Sequence, residues 1–224
     1  MLSKTILITL FSALALAAPI TPNDIILSRS QASEQISAIA PSAPNGTSCD
    51  VASYKDECRT AAQAEPYLIK SMASQGINTY PEIGALIALM AYESGDFKYN
   101  IHHFPSLTPG QGTRNMQMAK YNLLYAQSIP ALKEPLAKIT TASSTDGLSD
   151  DALNQILALV TVDEYTWGSA GWFLISQCSP SVRTALQKGD EAGWQAYLSC
   201  VGVKDSDYAG RTAYWTRAKK SMPF

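Results

Sequence analysis

The chain has 224 residues, and its composition excludes several classes of protein. Lys and Arg total 17 against 19 Asp and Glu, so the formal net charge is −2, whereas a nucleic-acid-binding domain is usually basic. Apolar residues make up 46% of the chain, which is too high a fraction for an intrinsically disordered protein. The two histidines are adjacent, at His102 and His103, so a metal site with three histidine ligands is excluded.

Residues 1–17 are predicted to be a secretory signal peptide. A start that carries Lys4 is followed by an apolar run from Ile6 to Ala18, within which Ala15-Leu16-Ala17 matches the A-x-A cleavage pattern. The apolar run is shorter than the roughly 20 residues that span a bilayer. We therefore expect a secreted, extracellular protein that has no membrane partner.

Secretion changes the interpretation of the four cysteines. An even number of cysteines in an oxidising compartment predicts two disulfides, and a zinc site is less favoured because the chain has no C-x-x-C pair. Three connectivities are possible. The pairs Cys49–Cys58 and Cys178–Cys200 close short loops, and we favour them for that reason.

The segment 18–48 is rich in Pro, Ser and Ala and is predicted to be flexible, which leaves 49–224 as a single mostly α-helical domain. Apolar periodicity, capping residues and terminal glycines define its elements. The predicted helices, in chain order, are 61–74, 80–94, 113–127, 150–162, 167–177, 180–188, 191–201 and 208–220. The stretch 96–112 is irregular and could hold a small β-hairpin. A loop of that length inside a compact domain is usually functional or disordered.

Glu93 is the strongest candidate for chemistry. It follows the segment 83–92, which is apolar almost all round and is therefore predicted to be the central helix. A carboxylate in the last turn of a buried helix is desolvated and faces the negative end of the helix dipole, and both effects raise its pKa. A carboxylic acid that stays protonated can act as the general acid in glycosidic bond cleavage. The alternative is an ordinary glutamate at a solvent-exposed helix end.

The sequence around Glu93 resembles the lysozyme-like superfamily. The segment A-L-I-A-L-M-A-Y-E-S-G-D-F, followed by the turn G-Q-G-T-R-N-M-Q, is most similar to goose-type lysozymes and lytic transglycosylases. The resemblance implies a lysozyme-like helical fold around the apolar helix, with Glu93 as the catalytic acid and Met116-Gln117 beside the sugar. There is also some likeness to plant-type chitinases, in which a histidine stands at the position of Tyr92.

Other residues could complete such a site. Asp96, Asp163 and Glu164 are candidates for a second catalytic carboxylate, although a charge cluster at a helix end is the alternative for Asp163 and Glu164. An inverting glycosidase would place the second carboxylate roughly 6.5–9.5 Å from Glu93. The candidate substrate-binding residues are Gln117, Asn115, Tyr92, His103, Tyr121, Trp167 and Tyr208.

The sequence therefore predicts a secreted, monomeric glycosidase of lysozyme type that cleaves β-1,4 bonds in peptidoglycan and needs no metal or organic cofactor. A chitinase or chitosanase is the alternative within enzymes. A non-catalytic secreted protein that binds glycans or a protein partner on the same fold is the alternative outside them. The discriminating feature is whether Glu93 lies in an open groove near Gln117.

Overall fold

The structure is a computed structural model, and it describes residues 29–42, 49 and 52–224. The signal peptide predicted over 1–17 lies outside the described residues. As predicted, the chain is mostly α-helical, and the helices are α1 (Arg29–Ile39), α2 (Ala61–Ser74), α3 (Tyr80–Glu93), α4 (Ala119–Ser128), α5 (Lys133–Ala137), α6 (Asp150–Val160), α7 (Asp163–Thr166), α8 (Ser169–Ser176), α9 (Pro180–Leu186), α10 (Glu191–Cys200) and α11 (Tyr208–Ser221).

Helix α3 is the central element, as its apolar sequence predicts. The Thr79 side chain caps its N-terminus by accepting a hydrogen bond from the backbone N–H of Glu82. Residues 84–91 are all buried, and α3 packs against α1, α8, α9 and α11. The helix ends at Glu93 because Gly95 takes a left-handed conformation, with φ at 59°. The helical path of the chain therefore ends directly after Glu93, although Phe97 is still part of the core.

Within the segment 18–48, which was predicted to be flexible, helix α1 corrects that prediction for residues 29–39. Its apolar side chains Ala32, Ile36 and Ile39 are buried, and the helix packs against α2, α3 and α11. The Nε of Arg217, on α11, donates a hydrogen bond of 2.9 Å to the carbonyl oxygen of Ile39. The apolar residues that make this contact are spaced among Ser and Gln, so the composition alone obscured them.

The helix predicted over 113–127 begins only at Ala119. Residues 113–118 instead form a turn in which Thr113 and Met116 both have left-handed backbones, with φ at 67° and 48°. Isolated bridges join Gly112 to Ile101 and to Gln117, and these take the place of the hairpin expected within 96–112. Among the described residues this is the whole of the β-structure, so no sheet forms there.

Two disulfides are present, and their pairing is the one that closes the short loops. Cys49–Cys58 ties the segment before α2, and Cys178–Cys200 ties the end of α8 to the end of α10. Within 29–42, 49 and 52–224, no helix is both long enough and apolar enough to cross a bilayer.

The contact between α9 and α10 provides a test of the packing. Gly193 on α10 is buried, and a Cβ placed there would lie 2.3 Å from the carbonyl oxygen of Ala185. We expect Gly193→Ala to lower the free energy of unfolding by about 1–3 kcal/mol, because the clash with backbone outweighs the better helix propensity of alanine. Urea unfolding followed by circular dichroism measures the change.

Gln195→Ala, at an exposed position on the same helix, is the matched control and should change the free energy of unfolding by less than about 0.5 kcal/mol. Equal stability of Gly193→Ala and the wild type would contradict the close approach of the two helices.

Candidate functional site

A groove of about 500 Å³ opens at the end of α3, and Glu93 lies in its wall. The turn that precedes α4, the start of α4 and the segment between α10 and α11 form the other walls. The lining residues include Leu89, Glu93, Gln111, Asn115, Met116, Gln117, Met118, Lys120, Tyr121, Phe173, Val201, Val203, Lys204, Asp207 and Arg211. The structure therefore brings together Glu93, Asn115, Gln117 and Tyr121, which the sequence had singled out.

Glu93 forms an ion pair with Arg211 that the sequence reasoning missed. The Nε of Arg211 lies 2.8 Å from Oε1 of Glu93, and its Nη2 lies 2.6 Å from the same oxygen. The guanidinium also covers the ring of Tyr92, with its central carbon 4.3 Å from the ring centroid. The backbone oxygen of Asp207 accepts a further hydrogen bond from Arg211 at 3.1 Å. Both charged side chains are consequently held in one geometry.

The electrostatic environment of Glu93 combines opposing effects. Burial raises the pKa of the carboxyl above its ordinary value, while the charge and hydrogen bonds of Arg211 and the nearby His102 lower it. Burial is the larger effect, so the net shift is upward. The apolar sequence of α3 predicted this desolvation. The arginine that opposes it was not predicted, and it lies on α11, 118 residues away in sequence.

Amide side chains hold the turn that faces Glu93. The Nε2 of Gln117 donates to Oδ1 of Asn122 at 2.7 Å, and the Nδ2 of Asn122 donates to the carbonyl oxygen of Gly110 at 2.8 Å. A Cβ at Gly112 would lie 2.6 Å from the carbonyl oxygen of Asn100, so only glycine permits this close approach. The turn is therefore fixed by its own internal bonds.

Asn115 belongs to the same support. Its Oδ1 accepts hydrogen bonds from Oγ of Ser169 at 2.6 Å and from Oγ1 of Thr113 at 2.8 Å. Gln117 is only 5% exposed. Both amides line the groove, but their hydrogen bonds are made to other groups of the protein. Their role is therefore to hold the shape of the groove wall.

Arg114 is a fully buried cation whose hydrogen bonds hold the turn in place. Its guanidinium donates to the carbonyl oxygens of Phe97 at 2.9 Å, Tyr99 at 3.0 Å and Glu57 at 2.6 Å. It also lies 4.4 Å from the centroid of the Trp167 ring. Burial lowers the pKa of the guanidinium to about 9, so Arg114 remains charged at neutral pH. The sequence analysis included Arg114 only within the turn G-Q-G-T-R-N-M-Q and predicted no role for it.

Glu57 is a second residue that the sequence reasoning missed. Its Oε2 accepts backbone hydrogen bonds from Asn100 at 2.6 Å and from Ile101 at 3.0 Å. Its Oε1 lies 2.7 Å from Nε2 of His103, and the ring of Tyr54 stacks on that histidine with centroids 3.6 Å apart. One carboxylate thus fixes the loop beyond Glu93. The available signal was its place beside Cys58, whose disulfide holds the segment.

Several predicted site residues lie elsewhere. The carboxylate of Asp96 accepts a hydrogen bond from the backbone N–H of Ser42 at 3.0 Å, and Asp96 is 4% exposed. Asp163 pairs with Arg59 at 2.8 Å. Neither carboxylate lines the groove with Glu93, because each is bound to a different part of the chain. The structure therefore corrects their assignment as a second catalytic group.

Two aromatic assignments are corrected as well. Trp167 is 1% exposed, because Arg114 and the ring of Phe97 cover it, so it does not face a cleft. Tyr208 lies outside the groove, and its hydroxyl lies 3.4 Å from the carbonyl oxygen of Gln195. Tyr92 and His103 line an adjoining recess together with Glu93. Across the described ranges, no cluster of three or more His, Cys, Asp or Glu is placed to hold a metal ion.

Glu93→Gln should change how stability depends on pH. Because the Glu93 pKa is raised, the folded state binds this proton more tightly than the unfolded state does, and the stability that the group contributes falls as pH rises. We expect the free energy of unfolding of the variant, relative to the wild type, to increase as pH rises above the ordinary value of 4.5. The difference should level off above the raised pKa.

Urea unfolding at a series of pH values measures this difference. Glu134→Gln, which removes an exposed carboxylate outside the groove, is the matched control. A difference that falls as pH rises would show that Arg211, rather than burial, dominates the environment of Glu93.

Arg114→Met tests the anchor of the turn. Removing the guanidinium leaves the carbonyl oxygens of Tyr99 and Glu57 without a protein partner, whereas that of Phe97 keeps the backbone N–H of Arg59. Each buried unsatisfied group costs about 1–3 kcal/mol. We expect the free energy of unfolding to fall by at least about 2 kcal/mol. Lys138→Met, at an exposed position, is the control for the loss of one cation. If Arg114→Met and Lys138→Met both changed the free energy of unfolding only slightly, the anchoring role of Arg114 would be contradicted.

Comparison with known proteins gives one informative similarity. The chain is 46% identical over 175 residues to a bifunctional dioxygenase (DOX)-epoxy alcohol synthase (EAS) of Fusarium oxysporum (strain Fo5176). The match covers 78% of this chain but 13% of that relative, so the chain corresponds to a small part of a much longer protein. No family model matches the chain, and no solved structure matches it.

This similarity overturns the functional interpretation made from the sequence. The resemblance to the lysozyme-like superfamily was wrong, because the relative is a dioxygenase and epoxy alcohol synthase by name. The predicted glycosidase activity is wrong for the same reason, and so are the expected polysaccharide substrates, peptidoglycan, chitin and chitosan. The catalytic role given to Glu93 in glycosidic cleavage is withdrawn with them. The groove itself and the Glu93–Arg211 pair are features of the structure, and they need another explanation.

Proposed function

We propose that the Glu93 groove binds an oxygenated amphiphile of the epoxy alcohol class. The name of the Fusarium relative supplies this chemical class. The chain spans about an eighth of that relative, so we assign it no dioxygenase or synthase step. Binding is the function that the groove can perform with its own residues.

The apolar part of the groove suits a hydrocarbon chain. Leu89, Phe173, Val201 and Val203 line it on the side of α3, α8 and α10, and Met116 faces them from the turn. Methionine is flexible and polarisable, so it adapts to apolar ligands of irregular shape. The volume of about 500 Å³ lies within the range of ordinary small-molecule sites.

The Glu93–Arg211 pair suits the oxygen atoms of such a ligand. A hydroxyl can donate to the carboxylate of Glu93 and accept from another donor, whereas an epoxide oxygen can only accept. The guanidinium of Arg211 carries several N–H donors, of which Nε and Nη2 face Glu93. A carboxylate and a guanidinium side by side therefore match a hydroxyl next to an epoxide.

Two cations at the rim favour an acidic end group. Lys120 and Lys204 line the groove and are exposed to solvent. Lysine attracts carboxylates as a compact point charge. A long-chain epoxy alcohol that ends in a carboxylate would place that group between them while its chain lies on the apolar wall.

One observation carries the proposal, namely that the groove combines an apolar wall with the paired charges of Glu93 and Arg211. We also propose that the protein acts outside the cell. The pattern of residues 1–17 and the two disulfides support this location, since disulfides persist mainly in oxidising compartments.

Calorimetric titration with a long-chain epoxy alcohol carboxylate tests the proposal. We expect saturable binding to the full chain, and the double variant Lys120→Met/Lys204→Met should weaken it about fivefold to thirtyfold, because two rim charges that face the ligand are lost. The wild-type affinity should also fall with rising salt concentration. Lys188→Met, an exposed cation outside the groove, is the matched control.

The methyl ester of the same ligand completes the test. It lacks the carboxylate, so the wild type and the double variant should bind it with equal affinity. No saturable binding of the acid to the wild type would overturn the proposed function.

A further inference from the structure

A second recess of about 370 Å³ adjoins the groove on the far side of Glu93. Glu93, Gln111 and Met116 line both spaces, so the two meet at these residues. Gln111 is itself held in place, because its Nε2 lies 3.1 Å from the carbonyl oxygen of Met116. These shared residues therefore form the boundary that a ligand longer than the groove would cross to reach the recess.

The recess differs from the groove in its chemistry. Tyr92, Tyr99 and Phe104 form an aromatic part of its wall, and His102 and His103 line it as well. The described residues that line it include no Lys, Arg or Asp, and Glu93 is their one carboxylate. The groove, in contrast, is lined by three cations, Lys120, Lys204 and Arg211, against the two carboxylates of Glu93 and Asp207. The two adjoining spaces thus differ, because lysines line only the groove and the aromatic rings of Tyr99 and Phe104 line only the recess.

Phe104 is the most exposed side chain of the recess. It is 61% exposed, although its ring contacts Tyr99 with centroids 5.6 Å apart. Leu107, which follows in the same loop, is 58% exposed. Large apolar side chains that lie together at the surface often mark binding sites. Phe104 therefore has uncovered ring surface that an apolar ligand could contact.

The loop that carries Phe104 is held at its base. Glu57 accepts the backbone hydrogen bonds of Asn100 and Ile101 and also contacts His103. A binding wall built on such a base loses less conformational freedom when a ligand is bound, so more of the contact energy appears as affinity.

We propose that the recess holds the apolar end of the ligand whose acidic end lies at Lys120 and Lys204. The middle of the ligand then passes the Glu93–Arg211 pair. This inference rests on the proposed function and adds the orientation and the length of the ligand. The charge difference between the two ends fixes the orientation, because a carboxylate is favoured beside the lysines and a hydrocarbon end beside Phe104 and Tyr99.

The test uses a series of epoxy alcohol carboxylates that share the acid and the oxygens and differ in the number of methylenes beyond them. We expect the affinity of the wild type to rise by roughly fourfold for each methylene that the recess buries and then to level off. Phe104→Ala should reduce the affinity for the long members about fivefold to tenfold, since ring contact is lost, and leave the short members unchanged.

Two further variants keep the result interpretable. Phe104→Trp should restore the affinity for the long members, because it restores the aromatic surface. Leu124→Ala, which removes an exposed apolar side chain outside both spaces, should change none of the affinities.

The outcomes separate this inference from the proposed function. If the short members bind the wild type and added methylenes bring no gain, the recess does not hold the apolar end and the inference alone fails. An equal loss for short and long members in Phe104→Ala would overturn it as well. If no member binds the wild type, both the proposed function and this inference fail.

Discussion

The close contact between α3 and α11 determines the geometry on which the site depends. Gly84 of α3 faces Ala218 of α11, and a Cβ at Gly84 would lie 3.1 Å from that of Ala218. In this antiparallel crossing, Glu93 lies about 14 Å further along α3 and Arg211 about 11 Å back along α11, at 1.5 Å per residue. The two side chains therefore meet at the same end of the pair. A second glycine, Gly210, lets α11 approach the ring of Tyr92 there.

The walls of the site depend on two charged side chains, Arg114 and Glu57, that form hydrogen bonds with the backbone in and around the irregular stretch 96–112. Arg114 satisfies three backbone carbonyls, and Glu57 satisfies two backbone N–H groups. A loop without regular structure must find partners for its backbone groups elsewhere, and here two side chains supply them. Phe97, whose carbonyl is one acceptor, has a left-handed backbone with φ at 67°, which costs free energy in a bulky residue. The surrounding bonds hold that conformation directly after Glu93.

Local signals predicted much of the helical framework but only part of the site. Thr79 and Ser149 cap helices where the sequence placed their starts, because capping acts over a few residues. The groove near Glu93 and Gln117 was likewise foreseen from a helix and the turn that follows it. Arg211 and Glu57 were missed because they act across 118 and about 44 residues of sequence. Residues 113–118 were predicted to be helical because apolar periodicity carries no sign of positive φ.

The motif at Glu93 led to the expectation of a groove beside Gln117, which the structure contains, and to a glycosidase reaction, which was wrong. The Arg211 pair shows how the two outcomes are compatible. Burial raises the pKa of the Glu93 carboxyl, as a proton donor requires, but the guanidinium favours the ionised form. A ligand that enters the groove removes more water and raises the pKa of Glu93 further. A ligand hydroxyl that donates to Glu93 acts in the opposite direction, because it stabilises the carboxylate. A ligand with such a hydroxyl can therefore bind with the Glu93 carboxylate as its hydrogen-bond acceptor. With a purely apolar ligand, Arg211 alone would stabilise the negative charge of Glu93.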